Sequence, residues 1–85
     1  MDLAINRTQR DAVLGAKHLP DVLKRVLDAA QPRGADFVLQ LTYEEATALN
    51  ELCSWNVHTD PAGKVTAESK VFDDLVRAIM MHPDY

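Results

Sequence analysis

The sequence predicts a small α+β fold that is predominantly helical, with its elements in the order β-α-α-β-α-α. Three observations support this. Apolar runs at residues 3–5 and 37–41 are typical of strands. Each run leads directly into a sequence that can cap a helix, and two further segments carry apolar residues at helical spacing. Glycine and proline fall only between these segments. A length of 85 residues predicts one domain, residues 1–85.

Residues 1–5 predict a short first strand, although two or three residues at a chain end often fray. Asn6 and Gln9 have the spacing of a capping box and predict a helix of roughly two turns. Gly15 then occupies the position at which a left-handed C-cap ends such a helix.

The second predicted helix begins at Pro20, because proline suits the first helical position. Its apolar residues repeat every three or four positions, and charged residues occupy the opposite side. Residues 31–34, which include a proline and a glycine, are expected to end this helix as a loop.

Residues 37–41 predict the second strand, and Thr42 with Glu45 forms the clearest capping box in the chain. The helix that follows is expected to reach about Val57, with an apolar arc broad enough to contact more than one neighbour. Two strands alone would make a small ribbon with open edges. One way to cover an edge is antiparallel pairing of the 37–41 strands of two copies.

Thr66 or Ser69 is expected to cap the last helix, and Pro83 to stop it. Its apolar face lies opposite a charged face that contains the i,i+4 pair Asp73 and Arg77.

The two halves of the chain resemble each other locally. A shift of 36 residues aligns Leu3 with Leu39, Ile5 with Leu41, Asn6 with Thr42 and Gln9 with Glu45. A duplicated β-α-α unit would explain this, although any two capped helices share some of these features.

Composition indicates an ordinary globular chain of 85 residues, with 47% hydrophobic and 26% charged residues. The single cysteine excludes an internal disulfide, which favours the cytoplasm, and no apolar run is long enough for a transmembrane helix. The net charge is −4: residues 1–36 sum to +1 and residues 37–85 to −5. This balance disfavours general nucleic-acid binding and makes a basic protein partner more plausible than an acidic one.

No residue set predicts catalysis, a cofactor or a metal. Cys53 and His58 lack zinc-ligand spacing, and Cys53 sits on an apolar helical stripe with Glu51 nearby, which disfavours a reactive thiolate. Glu44 and Glu45 are explained by the helix N-terminus. Asp73 and Asp74 fit a solvated helix face. We therefore expect a non-catalytic protein.

Nucleic-acid binding remains an alternative from another class. Residues 7–30 have the outline of a helix-turn-helix and carry five basic side chains. The predicted outer face of its second helix, however, mixes Asp21 and Asp28 with Lys24 and Arg25.

The best interpretation is a protein-binding domain that also associates with itself. Its candidate interface consists of large apolar side chains near the helix ends, namely Trp55, Met80, Met81 and Tyr85. Trp55 has two interpretations: a packing group that closes the core, or an interface anchor. Tyr43, at the first helical position, is expected to pack back onto the end of the strand.

Overall fold

The structure is a computed structural model that describes all residues 1–85. It confirms an α+β fold with four helices, in which about half of the residues are helical. The elements are β1 (Asp2–Asn6), α1 (Arg7–Leu14), α2 (Asp21–Asp28), β2 (Gln31–Arg33), β3 (Asp36–Gln40), α3 (Tyr43–Trp55) and α4 (Ala67–Met80). The observed order is therefore β-α-α-β-β-α-α, with one strand more than the sequence predicts.

The sheet has three antiparallel strands in the order β1-β3-β2, in place of the predicted two-stranded ribbon. Residues 31–34 were expected to form a loop, but β2 and β3 form a hairpin across a two-residue turn. Gly34 takes a φ of 61° in that turn, which a glycine adopts without steric cost. Pro32 is tolerated because β2 is an edge strand.

β3 lies in the middle of the sheet, and this excludes the dimer pairing suggested by the sequence. One edge of β3 pairs with β1, with Leu39 opposite Leu3, and the other edge pairs with β2. Pairing with β1 extends over Asp36–Gln40 and pairing with β2 over residues 36–38, so most backbone groups of β3 are used within the chain. Any association of two copies has to involve another surface.

Both predicted capping boxes are confirmed. The Glu45 N–H donates to Thr42 Oγ1 at 3.2 Å, and the Thr42 N–H donates to Glu45 Oε1 at 2.8 Å. The same reciprocal bonds join Asn6 and Gln9, at 2.7 and 2.9 Å. Thr66 caps α4 by accepting from the Ser69 N–H at 3.2 Å.

The other helix ends differ from expectation by small amounts. Gly15 is not left-handed, since its φ is −90°, and the left-handed residue of this loop is His18 at 64°. Pro20 is the N-cap of α2, so the helix starts one residue later than predicted. α3 ends at Trp55 rather than near Val57.

The core lies between one face of the sheet and the four helices. Leu3, Ile5 and Leu39 point into it, whereas Ala4 and Gln40 on the opposite face are exposed. The buried apolar residues are Leu3, Ile5, Val13, Leu23, Leu27, Leu39, Leu41, Ala46, Leu49, Leu52, Cys53, Leu75 and Ile79. α3 and α4 are the two longest helices, and they pack against each other. The outer face of α3 stays exposed to solvent.

Candidate interaction surface

Six large apolar side chains remain substantially exposed. They are Val22, Tyr43, Trp55, Val65, Met80 and Met81. Three of them, Tyr43, Met80 and Met81, belong to the start of α3 and the end of α4, and the other three belong to other parts of the chain. Exposed aromatic and methionine side chains that adjoin one another are typical of contact surfaces.

We call Tyr43, Met80, Met81 and Tyr85 the tyrosine–methionine patch, because they lie where the start of α3 meets the end of α4 and the residues that follow it. The rings of Tyr43 and Tyr85 stack with centroids 5.4 Å apart. Met81 follows Met80 directly. Tyr43, Met80 and Met81 are 67%, 59% and 83% exposed.

Two polar residues of α3 hold this patch in place, and the sequence reasoning missed both. Thr47 Oγ1 lies 3.3 Å from the Tyr85 hydroxyl, and Asn50 Nδ2 donates to Met80 Sδ at 3.6 Å. Tyr43, Thr47 and Asn50 are spaced i, i+4, i+7, so they form one row along α3. That spacing is the signal in the sequence. It does not reveal that Tyr43 packs on Tyr85 instead of on the strand.

Trp55 is separate from the patch. It lies about 18 Å along the α3 axis from Tyr43 and about 120° around it, from the regular helical rise and turn. Its side chain is 69% exposed, so it does not close the core. The four residues predicted as one interface thus divide into the tyrosine–methionine patch and an isolated tryptophan.

Trp55 shares the outer side of α3 with two acidic residues, and we call Glu44, Glu51 and Trp55 the acidic stripe. The three positions fall within about 40° of one another around the helix. Both glutamates are exposed. Neither takes part in an ion pair, because the only two in the molecule join Arg10 to Asp11 and Arg77 to Asp73. α3 carries no basic residue at all.

The helix-turn-helix alternative gains nothing from the geometry. The segment between α1 and α2 is six residues long, whereas such motifs use a turn of three or four. The guanidinium of Arg10 lies over the Phe37 ring, 5.0 Å from its centroid. One of the five basic side chains of the predicted motif therefore already has a partner within the chain. The exposed positions of α2 include two acids and two bases, so they form no positive cluster.

Reactive groups are scarce. Cys53 is fully buried, and burial raises the pKa of its thiol to about 12, which keeps it protonated and unreactive at neutral pH. No three His, Cys, Asp or Glu side chains converge as metal ligands. The Glu45 carboxylate is occupied as a helix cap, and Asp73 forms its predicted pair with Arg77 at 3.2 Å.

An open groove of about 720 Å³ lies between the end of α1 and the start of α4. Its rim mixes Asp11 and Glu68 with Lys17, so it has no dominant charge. Its buried polar side chain, Ser69, is already saturated: it accepts from the His58 N–H at 2.8 Å and donates to the Asn56 carbonyl at 3.2 Å. The groove therefore presents no free buried polar group to a ligand.

No helix combines the length and the apolar character needed to cross a membrane. Comparison with protein-family models, with curated proteins and with solved structures finds no match to this chain.

Proposed function

We propose that this protein is a small non-catalytic protein-binding domain of the cytoplasm, and that it associates with a second copy through the tyrosine–methionine patch. The observation that carries the proposal is the position of exposed apolar side chains along one row of α3: Tyr43 stacks on the half-buried Tyr85, and Met80, next to Met81, contacts Asn50 of the same row. Aromatic residues and methionine are enriched at the centres of protein interfaces, and methionine adapts its shape to a partner.

The accessible surface area of one copy is larger than expected for a compact monomer, which favours covering part of it in an interface. The accessible area is 5627 Å², whereas a compact monomer of 9.5 kDa is expected to expose about 5,000 Å². The molecule is elongated, measuring 38 × 24 × 24 Å. A standard interface covers about 800 Å² on each partner, so the patch would form the centre of a contact that also includes its polar rim.

The net charge of the protein makes its self-association depend on salt concentration. Each copy carries a net charge of −4, so two copies repel one another at long range. Screening by salt weakens that repulsion and leaves the apolar contact. We therefore expect self-association to strengthen as salt is raised.

The test is the solution mass of the wild type and of Met80→Ser/Met81→Ser, measured by light scattering in the micromolar range. We expect a dimer for the wild type and a monomer for the variant, because the substitution removes both exposed apolar side chains. Val22→Ser/Val65→Ser is the matched control, since it removes two exposed valines outside the patch. Circular dichroism checks that both variants keep their helices.

Two results would overturn the proposal. One is a wild type that stays monomeric throughout this range at low and high salt. The other is a dimer that persists unchanged in the methionine variant.

A further inference from the structure

We propose that the acidic stripe of Glu44, Glu51 and Trp55 is a second docking surface, and that its occupant is a lysine- or arginine-rich segment of another protein. This surface and its partner are distinct from the self-association proposed above. The two surfaces lie on different sides of α3, so each can be altered without the other.

Trp55 is exposed on the outer side of α3. Tryptophan is the residue type most enriched among energetically dominant interface residues, and here 69% of its surface remains open to solvent. It makes no aromatic or cation–π contact within the chain, in contrast to Tyr43 and Arg10. Its indole face is free to receive a partner's cation, and tryptophan is the best aromatic acceptor for one.

The charge of the stripe is complementary to that of a basic segment. Glu44 and Glu51 lie on the same side of the helix as Trp55, and no basic group neutralises either of them. From Glu44 to Trp55 the stripe is about 16 Å long, from the rise of an α-helix. The two carboxylates and the indole face of Trp55 are complementary to a segment that carries basic side chains at intervals along one of its own sides.

Neither the stripe nor the α2 face of a second copy satisfies these requirements. The stripe of one copy facing the stripe of another would oppose like charges. The exposed positions of α2, which hold Lys24 and Arg25, also carry Asp21 and Asp28 and so have no net positive charge. A separate basic partner fits the acidic stripe better than either surface of this protein.

Trp55 is the single tryptophan of the chain, so its fluorescence reports directly on the stripe. The probe is a synthetic amphipathic peptide composed of lysine and leucine, and it is titrated into the protein at low salt. A peptide of identical pattern with glutamate in place of lysine is its control. We expect the lysine peptide to shift the Trp55 emission to shorter wavelength and the glutamate peptide to leave it unchanged.

The charge variant is Glu44→Gln/Glu51→Gln, and its matched control is Asp28→Asn/Asp74→Asn, which removes the same charge from exposed positions on α2 and α4. We expect the Glu44→Gln/Glu51→Gln substitution to lower the affinity for the lysine peptide about tenfold, because two charge pairs of modest strength are lost. The control pair should change its affinity less than about twofold, the effect of distant screened charges.

Binding of the lysine peptide should weaken as salt is raised, which is opposite to the expectation for self-association. Met80→Ser/Met81→Ser should leave the fluorescence titration unchanged, so the two proposals can fail independently. No emission shift at low salt would overturn the inference. An equal shift with the glutamate peptide, or an unchanged affinity in Glu44→Gln/Glu51→Gln, would also overturn it.

Discussion

Ser69 illustrates how much one buried hydroxyl can organise. It is the only polar residue with less than a tenth of its surface exposed, and its oxygen both accepts from the His58 N–H and donates to the Asn56 carbonyl. These two backbone groups belong to the loop that joins α3 to α4. The sequence offered Ser69 only as a possible cap, because nothing local indicates that the loop folds back over it.

We predict that Ser69→Ala lowers the free energy of unfolding by about 1–3 kcal/mol, because it leaves a buried donor and acceptor unpaired. Ser54→Ala is the control, since the Ser54 hydroxyl is exposed and bonds only the Asn50 carbonyl of its own helix. That substitution should change stability by less than about 0.5 kcal/mol. Urea denaturation measures both. Equal effects of the two substitutions would contradict the assigned role of Ser69.

Single residues also mark the limit of sequence reasoning about the surface. Trp55 was compatible with core and interface positions, because helical periodicity alone places it near the edge of the apolar arc. Its exposure depends on where α3 packs against its neighbours. Tyr43 and Tyr85 are 42 positions apart, so only the assembled fold reveals that they stack.

At the scale of elements, the local signals succeeded and the long-range ones did not. Thr42 with Glu45 and Asn6 with Gln9 interact within one helical turn, so the sequence pattern alone predicts them. β2 depends on hydrogen bonds to β3 and contains a proline, so its strand geometry has no local signature. This is why the helices were predicted nearly complete and the sheet was one strand short.

We predict that Thr42→Ala lowers the free energy of unfolding by about 1 kcal/mol, because the Glu45 N–H loses its acceptor at the start of α3. Thr42→Ser keeps the hydroxyl and should recover most of that loss. The comparison uses thermal and urea denaturation of both variants. If serine and alanine were equally destabilising, the loss would come from the threonine methyl group rather than from capping.

At the scale of the whole molecule, the pairing of β1 with β3 bears on the predicted duplication of a β-α-α unit. In the β1–β3 register, Leu3 lies opposite Leu39, which is its equivalent under the 36-residue shift. In addition, α1 contacts α4 and α2 contacts α3, as a two-fold relation between two such units would require. The register is compatible with a duplicated β-α-α unit, and the duplication itself stays a prediction.

Distant parts of the chain meet at the outer edge of β1. His82 Nε2 lies 2.8 Å from the Asp2 carbonyl oxygen, and His82 Nδ1 accepts from the Asp84 N–H at 3.0 Å. Because Nδ1 accepts, Nε2 carries the proton and donates to Asp2. At the other end of the strand, the Asn6 N–H donates to Gln9. Both ends of this open edge are thereby occupied, which discourages pairing with foreign strands.

We predict that His82→Ala lowers the free energy of unfolding by about 1 kcal/mol, the usual value of one hydrogen bond. Amide exchange of Leu3 and Ile5 should accelerate about fivefold with it, if β1 opens locally. His58→Ala is the control, because the His58 side chain is exposed and forms no hydrogen bond. Unchanged exchange in β1 would show that His82 does not hold this strand.

The central place of β3 also has a kinetic consequence. Its pairing with β2 closes a two-residue turn, whereas its pairing with β1 must bring together residues about thirty or more positions apart. Short loops close faster than long ones, so we expect the hairpin to precede the addition of β1 during refolding. Until β1 arrives, one side of β3 is an unpaired template carrying Phe37 and Leu39. Refolding at high protein concentration is therefore the moment at which this chain is most prone to aggregate.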